Sequence, residues 1–339
     1  MASSLGFEQA LWLKETTTAY ANVETMTSAG IILPVRGDLN FGKVIGQINT
    51  EHLRQSSYVQ EEENDHGLVS VEGDFGGTVP ASSIGFKTLI KHLTGKLVVA
   101  GTAPYVGTYT WNDDIFLGLS FAQHKAGSLY AWHGCQIEKF SLSFKVGGPL
   151  EYRCTVVGAS EDAVAAETTV PTLTLLAATP YYLTEHITFS LDTVAEAITE
   201  MTIDFNCELL KSEEQSYAAG SNTRVSLARG GVKITGTIKR RHDKDDSNQS
   251  KFYTKFLSGA PAALLVDCDH PTDADHNMEI NLGVVKFDDA RPLADGQGHT
   301  FETIPFTAYD LDAATSDIVI SDDNATPATA TGTYDGTGT

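Results

Sequence analysis

The feature that most constrains the fold of this chain is an internal repeat. The segment at residues 46–53 (Gly-Gln-Ile-Asn-Thr-Glu-His-Leu) resembles the segment at 203–210 (Ile-Asp-Phe-Asn-Cys-Glu-Leu-Leu). Further along, residues 69–75 (Val-Ser-Val-Glu-Gly-Asp-Phe) resemble residues 232–238 (Val-Lys-Ile-Thr-Gly-Thr-Ile). A chain that repeats its own pattern at long spacing is built from copies of one structural unit. The sequence therefore predicts two similar domains.

The second copy of the first segment has the alternation of a half-buried strand. Apolar side chains occupy every second position and polar side chains the positions between them, which is the period of a strand. The apolar set is Met201, Ile203, Phe205, Cys207 and Leu209, and the polar set is Thr202, Asp204, Asn206 and Glu208. We expect the apolar face to lie in a core and the polar face in water.

One helix is predicted after the second strand of each copy. Helical spacing places apolar residues on a single stripe, and a Ser before it and a Gly after it are typical of helix caps. In the first copy the stripe is Phe86, Leu89, Ile90 and Leu93, capped by Ser82 or Ser83 and ended by Gly95. In the second copy it is Phe252, Tyr253, Phe256 and Leu257, with Ser247 or Ser250 before it and Gly259 after it.

Further strands are predicted after each helix, at residues 140–146 and 152–156 in the first copy and at 282–286 and 301–309 in the second. The expected fold class is therefore all-β, with two β-sandwich domains that each carry one flanking α-helix. We expect a first domain at 1–160, a linker rich in Ala, Thr and Pro at 161–184, a second domain at 185–323, and a flexible C-terminal tail at 324–339.

The composition argues against several functional classes. The 339 residues include 23 Lys and Arg against 44 Asp and Glu, a formal net charge of −21. So acidic a protein binds poorly to nucleic acid phosphates and to an anionic membrane surface. The sequence has no run of the roughly 18 apolar residues that a membrane helix needs, and its first residues do not resemble a secretory signal. The four cysteines at 135, 154, 207 and 268 form no CxxC motif and are expected to be free, buried thiols.

Sequence motifs for catalysis are missing: there is no GxSxG, no P-loop and no GxGxxG. His124, His133 and Cys135 lack a fourth ligand at an ordinary spacing for a metal site. The acidic and histidine-rich cluster at 267–276 has Thr272 and Met278 where an EF-hand loop needs Gly and Glu. We interpret the cluster as a turn and leave a weak Ca²⁺ site open. The sequence predicts no enzyme, no cofactor and no catalytic or metal-binding residue.

With these segments in hand, the chain resembles the tail tube proteins (major tail proteins) of long-tailed, siphovirus-like bacteriophages. The resemblance rests on residues 14–18 (Lys-Glu-Thr-Thr-Thr), 33–34, 69–75 with the helix to Gly95, 130–158, 230–236 and 256–259. The chain departs from the family pattern at residues 19–21 (Ala-Tyr-Ala), where a Gly often follows the Thr run. The segment at 324–339 has no counterpart in the family.

The resemblance implies tail-tube-type β-sandwich domains whose inner sheets join between subunits into a β-barrel. Rings of such domains stack through long loops into a hollow tube through which the genome passes to the host. Because most such rings contain six domains, a chain with two domains implies a homotrimer with pseudo-sixfold symmetry. The implied partners are other copies of the chain, a tape-measure protein, a tail terminator and tail-tip proteins. DNA is expected to pass without specific binding, no membrane is involved, and the protein belongs in the virion tail after assembly in the bacterial cytoplasm.

From the resemblance and the polar strand faces we expect a lumen lined largely by carboxylates, which repel phosphates over a screening distance of about 8 Å. The residues expected to face the lumen are Gln47, Asn49, Glu51, Asp204, Asn206 and Glu208. The residues expected in ring-stacking loops are Glu61, Glu62, Glu63, Asp65, Glu213 and Glu214.

Two other classes of function stay open at this point. The first is a β-sandwich binding or adhesion module of a virion, which would recognise a carbohydrate or a receptor. Such modules usually gather aromatic side chains on one face, whereas Trp12, Trp111 and Trp132 are scattered along this sequence. The second is a metal-dependent hydrolase, which would need the cluster at 267–276 to bind a metal ion.

Overall fold

The fold is known from a computed structural model, and the residues it describes cover most of the chain. They are 11–16, 20, 31–33, 35–36, 39–49, 64–102, 104–112, 118–125, 128–162, 181–212, 216–219, 221–241, 249–270, 272–273, 275–290, 301–311 and 316–322. The expected tail at 324–339 lies outside them. Among the described elements, strands outnumber helices by far, as an all-β fold requires. Neither described α-helix is long and apolar enough to cross a membrane.

The secondary structure elements are numbered along the chain. Those of the first half are β1 (Leu11–Glu15), β2 (Ile31–Leu33), β3 (Asn40–Asn49), β4 (Asn64–Thr78), α1 (Ile84–Thr94), β5 (Gly95–Ala100), β6 (Tyr105–Trp111), β7 (Leu119–Lys125), β8 (Ser128–Lys145), β9 (Glu151–Gly158) and β10 (Ser160–Asp162). Those of the second half are a 3₁₀ turn (Thr184–His186), β11 (Ile187–Leu191), β12 (Val194–Ala195), β13 (Glu200–Leu209), β14 (Arg229–Arg241), α2 (Gln249–Ser258), β15 (Ala262–Asp269), β16 (Asn277–Phe287), β17 (Phe301–Tyr309) and β18 (Asp317–Asp322).

The order of strand pairing is the same in the two halves. The inner sheet runs β3-β4-β9-β8 in the first half and β13-β14-β17-β16 in the second. The outer sheet runs β2-β1-β7-β8-β10 in the first half and β12-β11-β15-β16-β18 in the second. Every strand except β5 and β6 therefore has a counterpart in the other half.

The pairing register of the inner sheets is also repeated. Phe41 lies opposite Gly73 in the first half, and Ile203 lies opposite Gly236 in the second. Even the bulge recurs, between Ile45 and Gln47 and between Cys207 and Leu209. Hence Phe41, and not Gly46, is the counterpart of Ile203, so the sequence alignment of 46–53 with 203–210 is wrong by five residues.

The register has a physical cause that sequence comparison misses. The Phe41 ring lies over Gly73, where a Cβ atom would come within 2.3 Å of it. The same ring packs against Phe75, Phe121 and Trp132, with centroid distances of 5.7, 5.4 and 4.6 Å. A shift of one residue would move Phe41 to the other side of the sheet, so this aromatic contact fixes the pairing.

The two halves are joined edge to edge and by an inserted hairpin. Strand β8 of the first half pairs with β13 of the second, from Lys145 opposite Glu200 to Lys139 opposite Asn206. One inner sheet therefore runs through both halves. The β5–β6 hairpin follows α1, and β6 adds to the edge of β18 in the outer sheet of the second half. In the second half three residues separate α2 from β15, so this hairpin is an insertion specific to the first half.

The core lies between the sheets and under the helices. The apolar set on β13 is buried as the alternation predicts, and the whole predicted stripe of α1 is buried. The Ser83 hydroxyl accepts a hydrogen bond from the Phe86 N–H at 3.4 Å, and Gly95 ends the helix with φ of 109°. In α2 the prediction is half right: Phe252 is buried, whereas Tyr253 and Leu257 are exposed. All four cysteines are free and buried.

Candidate functional site: the open face of the inner sheet

The side of the inner sheet that faces away from the core is a continuous polar surface, here called the open face. Residues directly opposite each other on antiparallel strands point to the same side. Thr202 on β13 therefore shares this face with Ser143 on β8 and Thr237 on β14. In the next row Asp204 lies between Ser141 and Thr235. Hydroxyl groups thus flank Asp204 at the centre of the face.

Acidic and basic side chains are nearly equally frequent on the open face. The acidic residues are Glu72, Asp74, Glu151, Glu200, Asp204 and Glu208, and the basic residues are Lys139, Lys145, Arg153, Lys233, Lys239, Arg241 and Lys286. Some of them pair within the face, as in Arg153 with Asp74 and in Lys239 with Glu200 at 3.7 Å. Carboxylates therefore do not dominate the described part of this face, and the net charge of −21 resides elsewhere.

The residues predicted for the lumen fall into two groups in the structure. Asp204, Asn206 and Glu208 lie on β13 and alternate with its buried side chains. Burial raises the pKa of the Asp204 carboxyl. Gln47 and Asn49 belong to β3 by their backbone, but their side chains lie outside the described residues, as does all of Glu51.

The repeated register identifies which positions of β3 match the polar face of β13. The counterparts of Thr202, Asp204, Asn206 and Glu208 are Asn40, Gly42, Val44 and Gly46. These are small or uncharged residues, so the matching part of the first half is less polar than the sequence repeat suggested. The pairing of Phe41 with Gly73 would have revealed these positions, but nothing in the sequence of β3 indicates its partner.

Strand β3 presents an unusual edge. Val44 and Ile45 are 46% and 39% exposed, whereas Cys207, the counterpart of Ile45, is 4% exposed. The difference arises because β13 is flanked by β14 and β8, while among the described strands β3 pairs with β4 alone. An exposed, apolar strand edge is a site for pairing with another chain.

The loop between β13 and β14 closes the seam between the two halves at one end of the inner sheet. Its described residues 217–219 and 221–223, here called the clasp segment, lie beside β4 of the first half. The Val69 N–H donates to the Asn222 carbonyl at 2.7 Å, and the Tyr217 hydroxyl donates to the Val69 carbonyl at 3.0 Å. Next to the clasp segment, the Lys211 ammonium lies 2.6 Å from the Glu138 carboxylate across the same seam.

Of the residues expected in ring-stacking loops, Asp65 belongs to β4 by its backbone, and its side chain is not described. Glu61, Glu62, Glu63, Glu213 and Glu214 lie outside the described residues. What the structure does describe of the second loop contacts the other half of the same chain. Sequence reasoning missed this contact because the acidic loop residues give no sign of the backbone bonds made further along.

The cluster at 267–276 starts at the end of β15, which holds Asp267 and Asp269, and its described residues continue toward β16. The His270 imidazole accepts hydrogen bonds from the N–H groups of Thr272 and Asp273 at 3.1 and 2.9 Å. His276 lies 3.1 Å from the Asp273 carboxylate. Among the described residues, no group of three or more His, Cys, Asp or Glu side chains is arranged to hold a metal ion.

The tryptophans do not form an exposed binding face. Trp12 and Trp132 are buried, at 1% and 3% exposure. Trp111 is half-buried and stacks on Phe205 with a centroid distance of 5.6 Å. All three contribute to packing, so the aromatic platform typical of a carbohydrate-binding module is not built from them.

Of three comparisons with known proteins, the family comparison places the chain. The sequence profile of a family described as phage tail tube protein matches residues 6–308. Among solved structures, the SPP1 tail tube, determined by solid-state NMR and cryo-electron microscopy, is similar over 43% of this chain and 82% of its own. The identity in that comparison is 10% and the TM-score is 0.33. No curated protein sequence matches the chain.

Proposed function

Because this chain belongs to the phage tail tube protein family and has a structural role in the tail tube, we propose that three copies of it make each ring of the tube. In this proposal the first half (1–160) and the second half (185–323) are two tube domains joined by the linker at 161–184. Three chains then supply the six domains of a pseudo-sixfold ring. The observation that carries the proposal is the edge-to-edge pairing of β8 with β13 inside one chain.

That pairing supplies a template for the junction between chains. Since β3 is the counterpart of β13, the exposed edge of β3 matches the edge that β13 uses to join β8. The far edge strand of the second inner sheet, β16, of a neighbouring chain would pair with β3, as β8 pairs with β13 inside one chain. Three such junctions close the sheet into a barrel that has no free edge. The exposed strand edge at Val44 and Ile45 would then be paired in the ring.

In the closed ring the open face lines the bore. DNA binds strongly to surfaces that release counterions through many Lys and Arg contacts. A face with nearly equal numbers of acidic and basic groups, some of them paired, and with many hydroxyls offers little such gain. DNA would therefore pass without being held at fixed positions. Asp204, Asn206 and Glu208 are lumenal in this proposal, together with Asn40, Gly42 and Val44 of the first half.

The remaining parts of the proposal concern the setting of the tube. The tube is assembled in the cytoplasm of the bacterial host and resides in the virion tail. Its ends contact the tape-measure, terminator and tail-tip proteins that a tube of this kind needs. The protein acts by assembly and needs no catalytic group.

Negative-stain electron microscopy of the purified chain, with its mass in solution measured alongside, tests the proposal. We expect stacked annular rings, or ring-forming particles of three times 36.4 kDa. Rings of six chains would contradict the trimer but would still support the tube. A monomer at every concentration would contradict self-assembly of the chain without an initiating partner.

A further inference from the structure

A groove of about 960 Å³ opens in the second half beside the first residues of β14. It lies between β14 and the end of β17, next to the last residue of β6. The residues that line it include Trp111, Val232, Lys233, Ala308, Tyr309 and Leu311.

In the first half, the position that corresponds to this groove is occupied by another part of the chain. Val69 is the counterpart of Val232, because Val69 lies opposite Ile45 and Val232 opposite Cys207. Pairing of β4 with β9 ends at Val71, and pairing of β14 with β17 ends at Ile234. Beyond those last pairs the sheet has room for one more segment.

In the first half that room is taken by the clasp segment, which bonds both the N–H and the carbonyl of Val69. The contact is reinforced by the Arg224 guanidinium, 5.2 Å from the centroid of the Tyr217 ring. Among the described residues, no segment takes the matching place beside Val232. The N–H and the carbonyl of Val232 therefore face the groove, just as those of Val69 face the clasp segment.

The loop that corresponds to the clasp segment is the connection from β3 to β4, at residues 50–63. From Gln47 to Val69 the chain advances 22 residues (69 − 47), and from Leu209 to Val232 it advances 23 (232 − 209). The two connections therefore have almost the same number of residues. Inside one chain the loop that starts from β13 passes the ends of β8 and β9 to reach β4.

We propose that the groove beside Val232 receives residues 50–63 of a second copy of this chain, the neighbour in the same ring. Glu61, Glu62 and Glu63, expected from the sequence in a loop between rings, would then belong to a contact within one ring. This inference rests on the proposed function, since β3 of the neighbour must lie where β13 lies inside the chain. The loop from that β3 then arrives at Val232 as the clasp segment arrives at Val69. Tyr58 supplies within it an aromatic hydroxyl of the kind that Tyr217 supplies to Val69. Each junction of the ring is thus closed by a clasp, three within chains and three between them.

Hydrogen exchange on the unmodified protein tests the proposal with an internal control. The Val69 N–H is bonded within the chain, so we expect it to be protected both in the dissociated chain and in assembled tubes. The Val232 N–H should exchange freely in the dissociated chain and slow by about tenfold or more on assembly. Equal exchange rates at Val232 in the two states would overturn the inference while leaving the tube itself intact.

Cysteine cross-linking distinguishes a neighbour in the ring from other occupants of the groove. Gln60 is as far from Gln47 as Asn222 is from Leu209, 13 residues in each case (60 − 47 and 222 − 209), so the test variant is Gln60→Cys with Lys233→Cys. The four native cysteines are buried. The control is Gln60→Cys with Val98→Cys, because Val98 is 44% exposed on the outer hairpin.

With a short thiol cross-linker, assembled tubes of the test variant should give covalent dimers and trimers and no larger species. The control should give monomers. A ladder that continues beyond the trimer would show that residues 50–63 reach the next ring, and would overturn the inference. Monomers alone, in tubes seen by electron microscopy, would leave the groove to another occupant and also overturn it. Absence of rings from the parent chain would instead contradict the proposed function and the inference with it.

Discussion

Lys91 and Lys255 hold the same position in the two halves: each stands four residues before the glycine that ends its helix, Gly95 or Gly259. Each binds a carboxylate at the end of the first strand of its own half. The Lys91 ammonium lies 2.9 Å from Glu15, and the Lys255 ammonium lies 2.8 Å from Asp192. A repeated ion pair thus ties each helix to its outer sheet, and the first pair is the more buried of the two.

Replacing Glu15 by Gln should lower the stability of the fold at neutral pH. Burial by itself raises the pKa of Glu15, but a hydrogen bond with His92 and the positive charges of His92 and Lys91 outweigh it and lower that pKa from 4.5 to about 2. Since the folded pKa lies below the unfolded one, the ionised carboxylate stabilises the fold above about pH 4.5, and this contribution disappears as the pH falls toward 2. We expect E15Q to lose about 1–3 kcal/mol at pH 7.

Urea denaturation at pH 7, 4.5 and 2.5 checks this expectation. The loss should be largest at pH 7 and should shrink toward pH 2.5. The matched control is Asp192→Asn, which removes the corresponding, more exposed carboxylate and should cost less. A loss of stability that is the same at all three pH values would show that the pair with Lys91 and His92 is not its cause.

Gly236 should not tolerate a methyl group. A Cβ atom there would lie 2.4 Å from the Thr202 carbonyl oxygen and 2.4 Å from the Phe306 ring. Because a strand carbonyl cannot move without breaking its ladder, Gly236→Ala should destabilise the fold by about 1–3 kcal/mol. Gly231→Ala on the same strand is the control, since nothing lies within 4 Å of its Cβ position. Thermal unfolding of both variants tests this expectation, and equal melting temperatures for Gly236→Ala and Gly231→Ala would contradict the packing described at Gly236.

Reversing the charge of Asp204 and Glu208 should slow delivery of the genome. The change to Lys at both positions turns a balanced open face into a basic one, and three copies repeat it in every ring. Lysines facing the bore would bind phosphates, so we expect intact tubes and ejection that is slower by about tenfold or more, with the delay reduced by added salt. Asp204→Asn with Glu208→Gln is the control. Ejection of normal rate by the Lys variant would place these residues outside the bore.

Removing the Trp111 side chain should uncouple the two halves. Its ring comes from the inserted hairpin of the first half and stacks on Phe205 in the second. Trp111→Ala should cost about 3 kcal/mol or more through lost packing. Calorimetry of the variant should show a broadened or double transition where the parent chain shows a single one. Val98→Ala, on the exposed side of the same hairpin, should unfold like the parent.

The local features of the fold could be predicted from the sequence. The alternation along β13 predicts its buried and polar faces, and the stripe and caps of α1 predict the helix and both of its ends. In each case the pattern depends on neighbours within a few residues. The exposure of Tyr253 and Leu257 shows the limit, because an apolar stripe does not reveal whether anything covers it.

The features that matter most for the candidate site depend on contacts between distant residues. The register of β3 is set by Phe41 against Gly73, so similarity between short segments placed it five residues away. The open face gains its basic residues from β8, β9 and β14, and no single strand shows that the two signs balance. The clasp on Val69 is made through backbone groups, which carry no signal in the sequence.

The β5–β6 hairpin has a mechanical consequence for a ring of three chains. It braces β18 across the junction inside each chain, and the second half has no such insertion to brace the junction between chains. Six junctions would therefore alternate between stiff and compliant. A tube whose bore is sixfold would bend and twist with threefold symmetry, and strain along it would collect at the boundaries between molecules.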